Sequence, residues 1–86
     1  MSAEAGTARS VIVYSTPLCA PCEQLKGYLR AHEVVFVAKD LMMDEDAATF
    51  IDSHNIRSSP VLQVDDVLLY GQDLELEAVD KLLGLN

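Results

Sequence analysis

Basic residues are scarce in this 86-residue chain, tryptophan is absent, and cysteine occurs only twice. Its longest unbroken apolar run is Val34–Ala38, far short of the ~20 residues needed to span a bilayer. Six Lys and Arg against fourteen Asp and Glu leave no basic stripe that could neutralise phosphates, so nucleic acid is not an expected partner. Met1 to Ser10 has neither the basic start nor the apolar centre of a secretory signal, which points to a cytoplasmic protein and away from membranes. Two cysteines close together cannot form a structural disulfide framework. Tetrahedral zinc needs four ligands, and the two histidines that remain, His32 and His54, are not at finger spacing.

What is present suffices for one small domain. Half the residues are hydrophobic and only three are proline, so the chain should fold around a single core. Charge is unevenly spread: residues 40–86 carry eleven acids against Arg57 and Lys81, while residues 1–39 are close to neutral. Most of these acids read as solvated helix faces and caps, with a further part in choosing which partner docks.

Residues 1–9 are small and polar without periodicity and read as a flexible tail, leaving 10–86 as the domain. Val11–Ser15 is a β-branched, aromatic run suited to a buried strand. Thr16-Pro17 ends it, and a helix follows from the cysteines to about Ala31, with Cys22, Leu25, Tyr28/Leu29 and His32 at helical spacing. Val34–Ala38 reads as a second buried strand, giving a parallel strand–helix–strand unit. Asp44 should cap a helix that buries Ala47, Phe50 and Ile51 and ends near Asn55. Val61–Val64 and Val67–Tyr70, separated by Asp65-Asp66, should form an antiparallel hairpin. Gly71 then breaks the strand, Asp73 is expected to cap a last helix with Leu74, Ala78, Val79, Leu82 and Leu83 on its apolar stripe, and Gly84 stops it.

The chemistry concentrates in Cys19-Ala20-Pro21-Cys22, directly after the first strand. Two thiols separated by two residues at a strand-to-helix turn can close a disulfide reversibly and present one sulfur to a partner. The thiolate is the attacking species, and unpaired N–H groups at a helix start favour it. Bringing a thiol from about 8.5 to about 7 raises its ionised fraction at neutral pH from a few per cent to about half. No Lys, Arg or His lies within three residues of Cys19, so backbone N–H groups carry that task. Cys22 falls one turn on, where it is placed to resolve a mixed disulfide. Pro21 forfeits an N–H that has no intrahelical partner in a first turn. Pro60, after Ser58-Ser59 and before an apolar strand, is a candidate cis-proline. His32 and His54 read as helix-end residues, Met42-Met43 as loop packing, and Tyr14 and Tyr28 as core residues with wet hydroxyls.

Taken together, the Cys-x-x-Cys turn, Ser59-Pro60-Val61 and the element order make residues 10–85 resemble the glutaredoxin branch of the thioredoxin superfamily. Thr16–Cys22 is similar to that family's active-site turn, and Tyr70-Gly71-Gln72-Asp73 sits where a glycine–acid motif opens its last helix. The resemblance implies an α/β, thioredoxin-like fold: a four-stranded mixed sheet flanked by three helices, with Pro60 cis and beside the dithiol. It implies Cys19 as nucleophile and Cys22 as resolving thiol. It further implies that Pro21, Ser59, Pro60, Gly71, Gln72 and Asp73 bind substrate, with the Ser59 backbone pairing to an extended peptide.

The sequence also departs from the family pattern. Ala20-Pro21 replaces the Pro-Tyr pair usual between the cysteines, Ser15 and Thr16 stand where a lysine is common, and Tyr70 precedes a single glycine. Each change removes a glutathione contact, and Ala20-Pro21 is closer to the Gly-Pro of thioredoxins. Small glutaredoxin-like hydrogen donors are similar in length.

The expectation is a monomeric thiol–disulfide oxidoreductase acting on protein or small-molecule disulfides in electron transport and redox homeostasis. It would need no bound cofactor and be recycled by glutathione or a thioredoxin-reductase-type flavoprotein. The alternatives are an iron–sulfur or metal-binding module and a non-catalytic thioredoxin-fold binding domain.

Overall fold

The computed structural model describes residues 10–84; the expected tail at 1–9 lies outside them. Strand β1 (Val11–Ser15) leads into helix α1 (Ala20–Ala31), strand β2 (Val37–Asp40) and helix α2 (Glu45–Ser53). Strands β3 (Val61–Val64) and β4 (Val67–Leu69) follow, then a 3₁₀ turn at Gly71–Asp73 and helix α3 (Leu76–Leu83). The sheet order is β2-β1-β3-β4, with β1 parallel to β2 and antiparallel to β3. This is the mixed four-stranded sheet with three helices expected of a thioredoxin-like fold.

Residues of a strand alternate between its two faces, and here each face acquires its own core. Val11 pairs with Val64 and Val13 with Leu62. These four pack with Leu25 and Leu29 of α1 and Val79 of α3. On the opposite face, Tyr14 and Val61 meet Ala47, Ile51 and Ile56 of α2 and its exit. The Tyr14 hydroxyl donates to Gln63 Oε1 at 2.6 Å across that face. Covering both faces explains why β1 is apolar from Val11 to Tyr14 and β3 is apolar but for Gln63.

Both caps foreseen for α2 and α3 bear on where these helices start. Asp44 caps α2, accepting the Ala47 N–H at 3.0 Å, and α2 closes at His54, one residue before the expected Asn55. Asp73 does not cap the last helix; it lies in the 3₁₀ turn, and Glu75 is the N-cap of α3. The turn consumes the residues that would have formed a first helical turn. Gly71 at φ 61° and Gly84 at φ 68° both occupy the left-handed region that favours glycine, and Gly84 ends α3 as expected.

The second strand needs a larger correction. It begins at Val37, not Val34, and its residues are exposed or half-buried because β2 is an edge strand. Val34 and Phe36 instead pack on the core from the connection after α1, while Val35 is exposed. Met42 and Met43, expected to pack in a loop, are exposed as well. The hairpin turns through Asp65, at φ 52°, between the paired Val64 and Val67. No described helix is long and apolar enough to cross a membrane.

Candidate active site

The end of β1 and the start of α1 deliver the two cysteines. Thr16-Pro17 leaves the sheet, Leu18 turns the chain with φ 56° and projects fully into solvent, and Cys19 becomes the N-cap of α1. Its sulfur accepts the Cys22 backbone N–H at 3.2 Å, and its carbonyl accepts the Glu23 N–H at 3.1 Å. The N–H expected to favour a negative sulfur is therefore aimed at it. Pro21 occupies the first turn, where a missing N–H costs no intrahelical bond.

Cys19 and Cys22 are joined in a disulfide with their Cα atoms 5.2 Å apart. Cys22 is wholly buried beneath the helix, whereas Cys19 is half-buried at the surface. The asymmetry gives the two sulfurs different access: a partner can reach only the first.

Across from the dithiol, the Ser59–Pro60 peptide bond is cis, as the resemblance implied, and Pro60 is buried. The Ser59 hydroxyl lies 3.9 Å from Cys19 Sγ and 3.2 Å from Thr16 Oγ1. Three side chains from two segments, the β1–α1 connection and the stretch before β3, thus form a chain of polar contacts ending on the half-buried Cys19 sulfur. Thr16 was legible in the sequence as the end of the strand and the start of the active-site turn, but its contact with Ser59 was not, because that partner lies 43 positions away.

Two grooves, each of about 430 Å³, flank this point, and Ser58 and Ser59 line both. One runs between α1 and α3 over Pro21, Leu25, Pro60, Gly71, Leu76 and Val79. The other lies toward α2 and includes Thr16, Ile51 and Arg57. Pro21, Ser59, Pro60 and Gly71 therefore converge around one groove. Gln72 and Asp73 are exposed and line neither. Glu75 and Leu76, which no local motif marks, line it instead, because the helix starts later than expected.

One contact ties together the two helices that frame the groove. The Tyr28 hydroxyl of α1 donates to Asp80 of α3, and that hydrogen bond, with burial and the carboxylate's charge, raises the phenol above its ordinary value. Lys26 pairs with Glu23 at 2.8 Å and, chiefly through that hydrogen bond, holds the Glu23 carboxyl below its usual range. His32 and His54 are the C-caps of α1 and α2, as expected, with their rings 4.5 Å from those of Tyr28 and Phe50. Among the described residues, no three His, Cys, Asp or Glu side chains gather as a metal site.

The glutaredoxin family model matches residues 11–69, from β1 through β4. No curated protein sequence matches the chain. Among solved structures, a point mutant of the thioredoxin-like protein BC3987 superposes with a TM-score of 0.81 at 24% identity, over 90% of this chain and 97% of that one. The same protein without the mutation gives 0.75 at 24% identity, over 85% and 99%. A wheat glutaredoxin gives 0.69 at 22% identity, over 96% of this chain and 82% of that one. At such identities these structures are similar in fold.

Proposed function

The chain belongs to the glutaredoxin family, and on that footing we propose that it reduces protein or small-molecule disulfides through Cys19 and Cys22. Family membership together with the cysteine pair supports thiol–disulfide oxidoreductase chemistry in general. The observation that carries the finer reading is the unequal exposure of two bonded sulfurs at the start of α1.

In the reduced protein the Cys19 thiolate attacks one sulfur of the substrate disulfide. A bond forms between them, the substrate S–S bond breaks, and the departing thiolate takes a proton from water. Cys22 then loses its proton to solvent and attacks the Cys19 sulfur. This releases the second substrate thiol and leaves the Cys19–Cys22 disulfide. Two electrons from an external thiol or dithiol restore the starting state. The Cys22 N–H, already directed at Cys19 Sγ, stabilises the sulfur each time it is negative. The Ser59 backbone beside cis-Pro60 offers an edge to which an extended peptide can pair, with Pro21 and Gly71 bordering the groove next to it.

The protein would work in this way as a cytoplasmic monomer without a bound cofactor. Its reductant is either glutathione or a thioredoxin-reductase-type flavoprotein. Titrating the oxidised protein with glutathione, and separately with thioredoxin reductase and NADPH, decides between them by which one regenerates the thiols. Regeneration by neither would remove the catalytic cycle.

A further inference from the structure

Resting on that reading, we propose that the groove between α1 and α3 selects protein disulfides flanked by a lysine or arginine, and that Glu75 determines this preference. The groove floor is apolar, built from Pro21, Leu25, Pro60, Leu74 and Val79, and it opens beside Cys19 and Ser59. Among its lining residues Glu75 is the single carboxylate, and no Lys, Arg or His contributes.

The Glu75 side chain is uncommitted. It is the N-cap residue of α3 yet makes no side-chain cap hydrogen bond, and among the described residues it has no ion-pair partner. It is exposed at the rim, next to Leu76, which is exposed despite being apolar. An apolar floor with one free carboxylate at its edge matches a side chain with a long hydrocarbon stem and a cationic head. Lysine and arginine have that form. A carboxylate-bearing partner would set its charge against Glu75 with no cation in the groove to offset it.

A peptide strand paired to the Ser59 edge would place alternate side chains toward the groove. A residue flanking the half-cystine that enters the groove then shares its lining with Glu75. One unit-charge contact at an exposed site is worth roughly up to fivefold in a rate, and exchanging Lys for Glu in the peptide counts it twice, once as attraction and once as repulsion.

The test uses two symmetric peptide disulfides, identical except for Lys or Glu beside the cysteine, and a neutral counterpart, hydroxyethyl disulfide. Each is mixed with the pre-reduced protein in a single turnover, quenched by acid, and remaining protein thiols are counted by alkylation and mass spectrometry. The wild type should favour the Lys peptide. Glu75→Gln should lower the Lys-to-Glu rate ratio about threefold, and Glu75→Lys should lower it about tenfold or more. Added salt should shrink the wild-type ratio. Glu33→Gln, which removes an equal charge far along the chain, should leave the ratio unchanged. An equal fall in Glu33→Gln and Glu75→Gln, or an unaltered ratio in Glu75→Lys, overturns the selection while leaving the oxidoreductase reading intact. Failure of the wild type to react with hydroxyethyl disulfide overturns both.

Discussion

Replacing Ser59 with alanine removes the hydroxyl that lies 3.9 Å from Cys19 Sγ. Thr16 Oγ1, 3.2 Å from Ser59 Oγ, can donate to that oxygen and free the serine proton for the sulfur. A hydrogen bond to a charged group contributes about 1.5–3 kcal/mol. A sulfur contact at the long limit of such distances should supply about 1 kcal/mol, which corresponds to about a fivefold change in the thiolate-to-thiol ratio. Ser59→Ala should therefore lower that ratio about fivefold, while the Cys22 N–H contact remains. Thr16→Val, which keeps the shape but withdraws the donor that orients Ser59, should lower it about twofold by the same reasoning. The ratio can be read from thiolate absorbance near 240 nm on reduced protein carrying Cys22→Ala, so that one thiol contributes, with circular dichroism checking the fold. A ratio that is unchanged or higher in Ser59→Ala would refute a hydroxyl contribution and leave the helix start as the sulfur's sole support.

Leu29 is fully buried between α1 and the sheet, so Leu29→Ala should cost about 2–5 kcal/mol in urea unfolding. That is a large share of the roughly 4–13 kcal/mol expected for a domain of this length, and a cost below about 1 kcal/mol would show that α1 does not depend on this contact. Tyr28 gives a pH prediction. Its phenol is raised in the folded protein by the hydrogen bond to Asp80, so the folded state holds the proton more tightly than the unfolded chain. The resulting stability is fully present below the ordinary tyrosine value of about 10 and is lost as pH rises through the raised folded value. Thermal melts from pH 8 to 11 should show a steeper alkaline decline in the wild type than in Tyr28→Phe, and parallel curves would contradict the linkage.

Residues that act locally were readable from the sequence. Val11–Ser15 and the Asp65-Asp66 hairpin announce themselves by β-branched runs and a turn dipeptide; the first falls where expected, and the second does so but for Tyr70, which leaves β4 to precede the 3₁₀ turn. Gly84 and Asp44 cap their helices for reasons contained within a few neighbouring residues. The second strand was misplaced because an apolar run does not reveal which of its residues will pair. Val34 and Phe36 are drawn to the core from a connection, and pairing with β1 begins only at Val37. Asp73 was misassigned because a 3₁₀ turn intervenes and moves the helix start to Glu75 and Leu76. At the site, Cys19, Cys22 and Pro60 could be recognised from local spacing and from resemblance. Thr16 could be placed in the active-site turn but not against Ser59, and Glu75 could not be placed at all, since these roles come from tertiary proximity to Ser59 and to the groove.

The claim beneath all of this is that Cys19 is the sulfur a partner meets and Cys22 the one that releases it. Incubating reduced Cys22→Ser with a symmetric peptide disulfide and measuring the intact mass tests it most directly. One peptide should be attached covalently, located at Cys19 by digestion, with no adduct on Cys19→Ser over the same interval. An adduct forming as fast at Cys22 in Cys19→Ser, or none at Cys19 in Cys22→Ser, would contradict it.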